Sequence, residues 1–88
     1  MLDKPIIGGK YVIQCKRYKN TVPVKVVREL YGVMQSEKAN KGILITTSDF
    51  SSDGYKFASD KQIELINREK LIQLIREYLP DSIYALNS

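Results

Sequence analysis

Gln14 and Lys16 stand two residues apart in the segment Tyr11 to Tyr18 (YVIQCKRY), whose β-branched and aromatic content reads as a strand. Side chains alternate along a strand, so Val12, Gln14, Lys16 and Tyr18 share one face, while Ile13 and Cys15 share the other. An amide oxygen beside an ammonium supplies two of the parts that metal-dependent phosphodiester hydrolysis needs. The oxygen holds a divalent cation near the phosphate, and the ammonium positions or activates the attacking water and offsets developing charge. A carboxylate from a neighbouring strand has to complete such a site. The plainer alternative makes both residues polar groups on an exposed strand face.

Composition removes most other chemistries. The chain has no histidine and a single cysteine, so Ser-His, Cys-His and His-ligated metal mechanisms have no parts to work with. The lone Cys15 forms no internal disulfide and, without histidine, no ordinary zinc site. What remains is carboxylates, amides, lysines or an oxygen-ligated cation such as Mg²⁺.

Charge adds a direction. Residues 1 to 28 carry Lys4, Lys10, Lys16, Arg17, Lys19, Lys25 and Arg28 against Asp3 alone, a local +6 within a net +4. No acidic residue falls between Lys10 and Arg28. Such a block fits a polyanionic partner or a merely solvated basic face, and charge alone does not choose between them. The 88 residues suit one small domain. No apolar run approaches the ~20 residues of a membrane span, and no signal-peptide layout opens the chain. The expected setting is soluble and cytoplasmic.

These residues must be placed by the elements around them. Gly8 and Gly9 predict a turn leading into the first strand. Asn20 or Thr21 is expected to cap a helix with Pro23 in its first turn, and Val27, Leu30, Tyr31 and Met34 recur at helical spacing to about Ala39. Ile43, Leu44 and Ile45 predict a buried parallel strand. Thr46, Thr47 and Ser48 follow it and are expected to cap a short helix holding Tyr55, Phe57 and Ala58. Gln62 to Ile66 alternates as a strand. Asn67 then caps a last helix whose stripe is Leu71, Ile72, Ile75, Tyr78 and Leu79, with Pro80 as the stop. Alternating strand and helix imply an α/β fold with a mostly parallel sheet flanked by helices. Cys15, Tyr31 and Met34 are expected in the core. Ile83, Tyr84 and Leu86 in the tail are expected to pack back or fray.

The ordered blocks resemble a family. Tyr11 to Val22 (YVIQCKRYKNTV), Val27 to Gly32 (VRELYG), Lys41 to Ser48 (KGILITTS) and Ile63 to Ile66 (IELI) are similar to the core of Mrr-like restriction endonucleases, the Q-x-K branch of the PD-(D/E)xK nuclease superfamily. The likeness spans residues 3 to 76 and is far more specific than Gln-x-Lys alone. It implies a restriction-endonuclease-like core over residues 1–80 with a tail at 81–88, and a mixed, mostly parallel sheet. It implies a type IV, Mrr-like endodeoxyribonuclease of DNA defence acting on double-stranded DNA with Mg²⁺. Gln14 is then a metal ligand and Lys16 the catalytic lysine.

The family sets an Asp on a strand upstream of the Gln, and only residues 1 to 9 precede Lys10 here. The resemblance therefore implies a truncated N-terminus, with the first helix and strand missing. Asp3 better resembles the acidic residue of the turn region, and it is a metal ligand only if it swings in as a substitute for the missing Asp. Arg17, Lys19, Lys25 and Arg28 are candidate DNA contacts. Glu29 resembles a helix residue near family active sites, although a carboxylate on a helix is normally surface. The competing expectation is a catalytically inactive nuclease fold that binds DNA or oligomerises. An exposed sheet edge would then join two copies as a homodimer.

Overall fold

The structure is a computed structural model, and it describes residues 9 to 78. Three strands and three helices alternate: β1 (Tyr11–Lys16), α1 (Val24–Glu37), β2 (Lys41–Thr46), α2 (Ser52–Ser59), β3 (Ile63–Ile66) and α3 (Arg68–Tyr78). The described strands form one parallel sheet in the order β1-β2-β3, with Gln14 opposite Leu44 and Leu44 opposite Leu65. The α/β reading of the sequence holds. Gly9 of the turn expected before β1 has a positive φ of 62°, while Gly8, Asp3 and the tail after α3 lie outside the described residues.

Paired residues of parallel neighbours point to the same side, so Gln14, Leu44 and Leu65 share one face. That face carries the core. Leu44 is fully buried there with Val26, Val27, Leu30 and Met34 of α1, and Ala58 of α2 joins the cluster. Each large apolar side chain buried this way contributes about 1.5–3 kcal/mol. Gly42 lets α1 lie close, because a Cβ at that position would run into the Met34 sulfur and crowd Leu30. On the opposite face Glu64 pairs with Lys70 of α3 at 2.7 Å, which seats α3 over β2 and β3. Leu71 and Ile75 are half-buried there, but Ile72 and Tyr78 of the predicted stripe are exposed.

Several local expectations are corrected. Neither Asn20 nor Thr21 caps α1. Its N-cap is Pro23, which makes no side-chain cap bond. The chain is anchored one residue earlier instead: Val22 N–H donates to Asp49 O at 2.8 Å, and Val22 O accepts from Ser51 N–H at 3.0 Å. Ser51, rather than Thr46 to Ser48, caps α2, its Oγ accepting from Gly54 N–H. Cys15 is exposed, not core, because α3 packs on β2 and β3 and the outer face of β1 carries Tyr11, Ile13 and Cys15 outward. Asn67 does cap α3, accepting from Lys70 N–H at 2.9 Å.

α1 ends on Lys38 in the left-handed conformation (φ 56°, ψ 41°), with Ala39 N–H bonded to Met34 O at 2.8 Å. A residue with a Cβ is strained there. Lys38→Gly should therefore raise stability by about 0.5–1 kcal/mol, less than the full strain because glycine also loosens the unfolded chain. For a domain of this size that is about 2–8 °C in Tm, read by thermal circular dichroism.

Candidate active site

β1 is the outermost of the described strands. Tyr11 and Ile13 on its outer face are 49% and 57% exposed, while Gln14 and Lys16, like Val12, are half-buried on the side that α1 covers. Gln14 lies beside fully buried Leu44, and Lys16 lies beside Thr46, which is 1% exposed. Among the described residues neither the Gln14 nor the Lys16 side chain has a hydrogen-bond or ion-pair partner, and their polar atoms remain open to solvent.

Carboxylates are placed by α1. Glu29, Val33 and Glu37 recur every four residues and so line one flank of the helix. Glu37 meets Lys10 at 2.7 Å, just before β1 begins. Glu29 lies two turns, roughly 12 Å, back along the same flank of the helix. Glu29 is exposed. Among the described residues no three His, Cys, Asp or Glu side chains form a metal-binding group. Gln14 carries a neutral amide oxygen, and no cluster of carboxylates forms around it among the described residues.

The predicted basic residues separate into two groups. Arg17 and Lys19 follow β1 directly and line a cavity of about 170 Å³ with Tyr18 and Thr47. Lys25 sits exposed in the first turn of α1. Arg28 lies on the other side of α1, its guanidinium 5.8 Å from the centre of the Phe57 ring, and is held toward α2 rather than toward β1.

Sequence reasoning missed the node that braces this end of the sheet. Asp49 Oδ1 accepts from Tyr55 Oη at 2.6 Å, from Phe50 N–H at 2.7 Å and from Asn67 Nδ2 at 3.2 Å. These donors, the Tyr55 hydroxyl foremost, hold the Asp49 carboxyl below the usual range. Burial, and then the carboxylate beside it, push the Tyr55 hydroxyl up to about 12. The only sequence signal was an Asp just past a strand.

A three-stranded parallel sheet flanked by helices is the architecture of a small α/β domain, consistent with a restriction-endonuclease-like fold. Residues 1–75 match the Mrr catalytic-domain family, described as restriction endonuclease. The type IV methyl-directed restriction enzyme EcoKMrr of Escherichia coli (strain K12) is 38% identical over 77 residues, covering 86% of this chain and 25% of that enzyme. The chain belongs to the Mrr-type restriction endonuclease family, and it spans about a quarter of the length of that relative. No solved structure matches it significantly. Restriction endonucleases of this kind generally use divalent metal ions. Among the described residues no helix is long and apolar enough to cross a membrane.

The Asp49 node has a pH signature. A lowered carboxyl stabilises the fold above its ordinary value near ~4 and loses that contribution as pH falls through the folded value. A raised phenol stabilises below pH ~10 and loses that contribution as pH rises through about 12. Asp49→Asn should lower stability at neutral pH by on the order of 0.5–1 kcal/mol, kept small by solvent screening. Its deficit against the parent should shrink as pH is taken below ~4. Melting curves from pH 2 to 7 check this, and a deficit constant across that range would contradict the assignment.

Proposed function

We propose that this chain is the nuclease core of a DNA-restriction enzyme that hydrolyses phosphodiester bonds of double-stranded DNA with Mg²⁺ in the cytoplasm. One observation supports the reading above the others: Gln14 and Lys16 sit half-buried on the α1 face of an edge strand without a partner among the described residues. Gln14 Oε1 binds the cation together with a carboxylate, for which Asp3 and Glu29 are the candidates. When bound, the cation supplies Lewis-acid charge at the scissile phosphate. Lys16 Nζ orients the attacking water and offsets the negative charge that grows on the phosphate. The half-buried setting strengthens that interaction relative to bulk water. Arg17, Lys19 and Lys25 hold the DNA through its phosphates, neutralising charge without reading bases, whereas Arg28, turned toward Phe57, is left out of this set.

A second reading rests on the outer face of β1. Tyr11 and Ile13 are exposed on an edge strand, a surface that favours pairing with another copy, so the fold also suits an inactive DNA-binding or homodimeric module. Light scattering across a wide concentration range separates the two states, and a monomer throughout counts against the dimer.

The nuclease reading is tested by nicking of supercoiled plasmid by the purified chain. Mg²⁺-dependent nicking is expected, abolished by EDTA and reduced at least ~100-fold by Lys16→Ala, the effect usual for one charge-stabilising group. Gln14→Glu, which replaces a neutral ligand by a charged one, should lower the metal concentration needed for half-maximal rate. Asp3→Asn and Glu29→Gln then show which carboxylate joins it. Nicking that persists in clean Lys16→Ala protein would sink the reading.

A further inference from the structure

The ion pairs of the fold are unevenly distributed. Lys10, just before β1, pairs with Glu37. Lys41, at the start of β2, pairs with Glu64, and Lys61, just before β3, pairs with Asp60. The amino end of the sheet is therefore neutralised strand by strand. At the carboxyl end Arg17, Lys19 and Arg68 are exposed, and among the described residues none has an ion-pair partner.

Arg17 and Lys19 come from the loop after β1 and Arg68 from the first residue of α3, and these segments are bonded into one platform. Ser48 Oγ donates to Asn20 O at 2.9 Å, joining the loops after β1 and β2. Arg68 N–H donates to Ser48 O at 3.0 Å, joining the start of α3 to the same point. A cleft of about 360 Å³ opens over the platform, lined by Lys19, Thr47, Ser48, Asn67 and Arg68 among others, and the 170 Å³ cavity beside it shares Tyr18, Lys19 and Thr47. Two carboxylates also line the cleft: Asp49, whose Oδ1 is turned to three neutral donors, and Glu69 on the rim, against the cations Lys19 and Arg68 there and Arg17 beside it. Thr47 is exposed and offers a neutral hydroxyl. β1 ends at Lys16, one residue before Arg17.

We propose that the carboxyl end of the sheet is a seat for a backbone phosphate of duplex DNA, flanking the phosphate addressed by Lys16, with Arg17, Lys19 and Arg68 as its cations and Thr47 as a neutral donor. The position relative to Lys16 rests on the nuclease reading, while the hold on the backbone does not. The bonds through Ser48 fix the backbone that carries Lys19 and Arg68 before DNA arrives, so the ordering left for binding is that of the side chains. A phosphate there releases counterions, which gives each contact a measurable salt dependence.

The test is fluorescence-anisotropy titration of the full chain with a labelled 20-base-pair duplex in EDTA, from 50 to 200 mM salt. The parent affinity should fall steeply over that range. Arg68→Gln and Lys19→Gln should each bind more weakly at low salt and flatten the log-log slope by about one, so that the fourfold rise in salt weakens them about 3.5-fold less than the parent. Thr47→Val should weaken binding without changing the slope. Arg76→Gln, at the far end of α3, should leave both unchanged, and far-UV circular dichroism verifies that each variant is folded. Parent-like slopes in Arg68→Gln and Lys19→Gln, or an equal loss in Arg76→Gln, would overturn the seat. Metal-dependent nicking with unchanged slopes removes the seat and leaves the nuclease reading standing. Flattened slopes without nicking do the reverse.

Discussion

Three loops leave the carboxyl end of the sheet, and two bonds of one residue tie them together. The Ser48 hydroxyl holds the carbonyl of Asn20, and the Ser48 carbonyl holds the amide of Arg68. Around it Val22 bridges to the segment Asp49 to Ser51, and Asn67 reaches Asp49. A loop over the end of a sheet must find partners for its backbone groups or leave them to water, and here the partners are the other loops. That mutual bonding turns segments that would otherwise wander into a surface of fixed geometry. It also fixes where α1 begins, and therefore how α1 lies across Gln14 and Lys16.

The same arrangement explains why the polar pair tolerates a half-buried position. α1 approaches β1 and β2 closely because Gly42 carries no side chain, and Leu30, Leu44 and Val27 fill the space between helix and sheet completely. The apolar layer reaches β1 only at Val12, and beyond it Gln14 and Lys16 occupy positions that Leu44 and Thr46 hold on β2. A core that extended along the whole strand would be more stable and would leave no polar pair there. Local rules of burial are expected to fail at functional positions, and the Gln14–Lys16 stretch is where they fail in this sheet.

The fold was legible in the sequence because its signals are local. Val27, Leu30 and Met34 repeat with the helical period, Ile43 to Ile45 form a short buried run, and Asn67 stands three residues before the N–H it caps. The Mrr-type membership was legible through the blocks around Gln14 and Lys16 and is shown by the match over residues 1–75. What sequence could not supply depends on which surfaces cover which. Cys15 looks like a core residue, but only the reach of α3 decides that it is exposed. Asn20, Thr21, Thr46 and Ser48 all have capping chemistry, and the choice of Ser51 follows from the Val22 bridge that sets the loop. Arg28 and Arg17 read alike as basic residues, but a ring contact takes one toward Phe57 while the other stands over the sheet end.

The central claim is that the cation and the phosphate meet at the Gln14–Lys16 face of β1. It is tested most directly by ¹H–¹⁵N spectra of the chain during titration with Mn²⁺, whose unpaired electrons broaden nearby signals. The account predicts selective loss of the Gln14 side-chain amide and of the backbone amides from Gln14 to Lys16, reversed by EDTA. Broadening centred instead on surface carboxylates such as Asp60, Glu64 or Asp53, with the Gln14 amide intact, would contradict it.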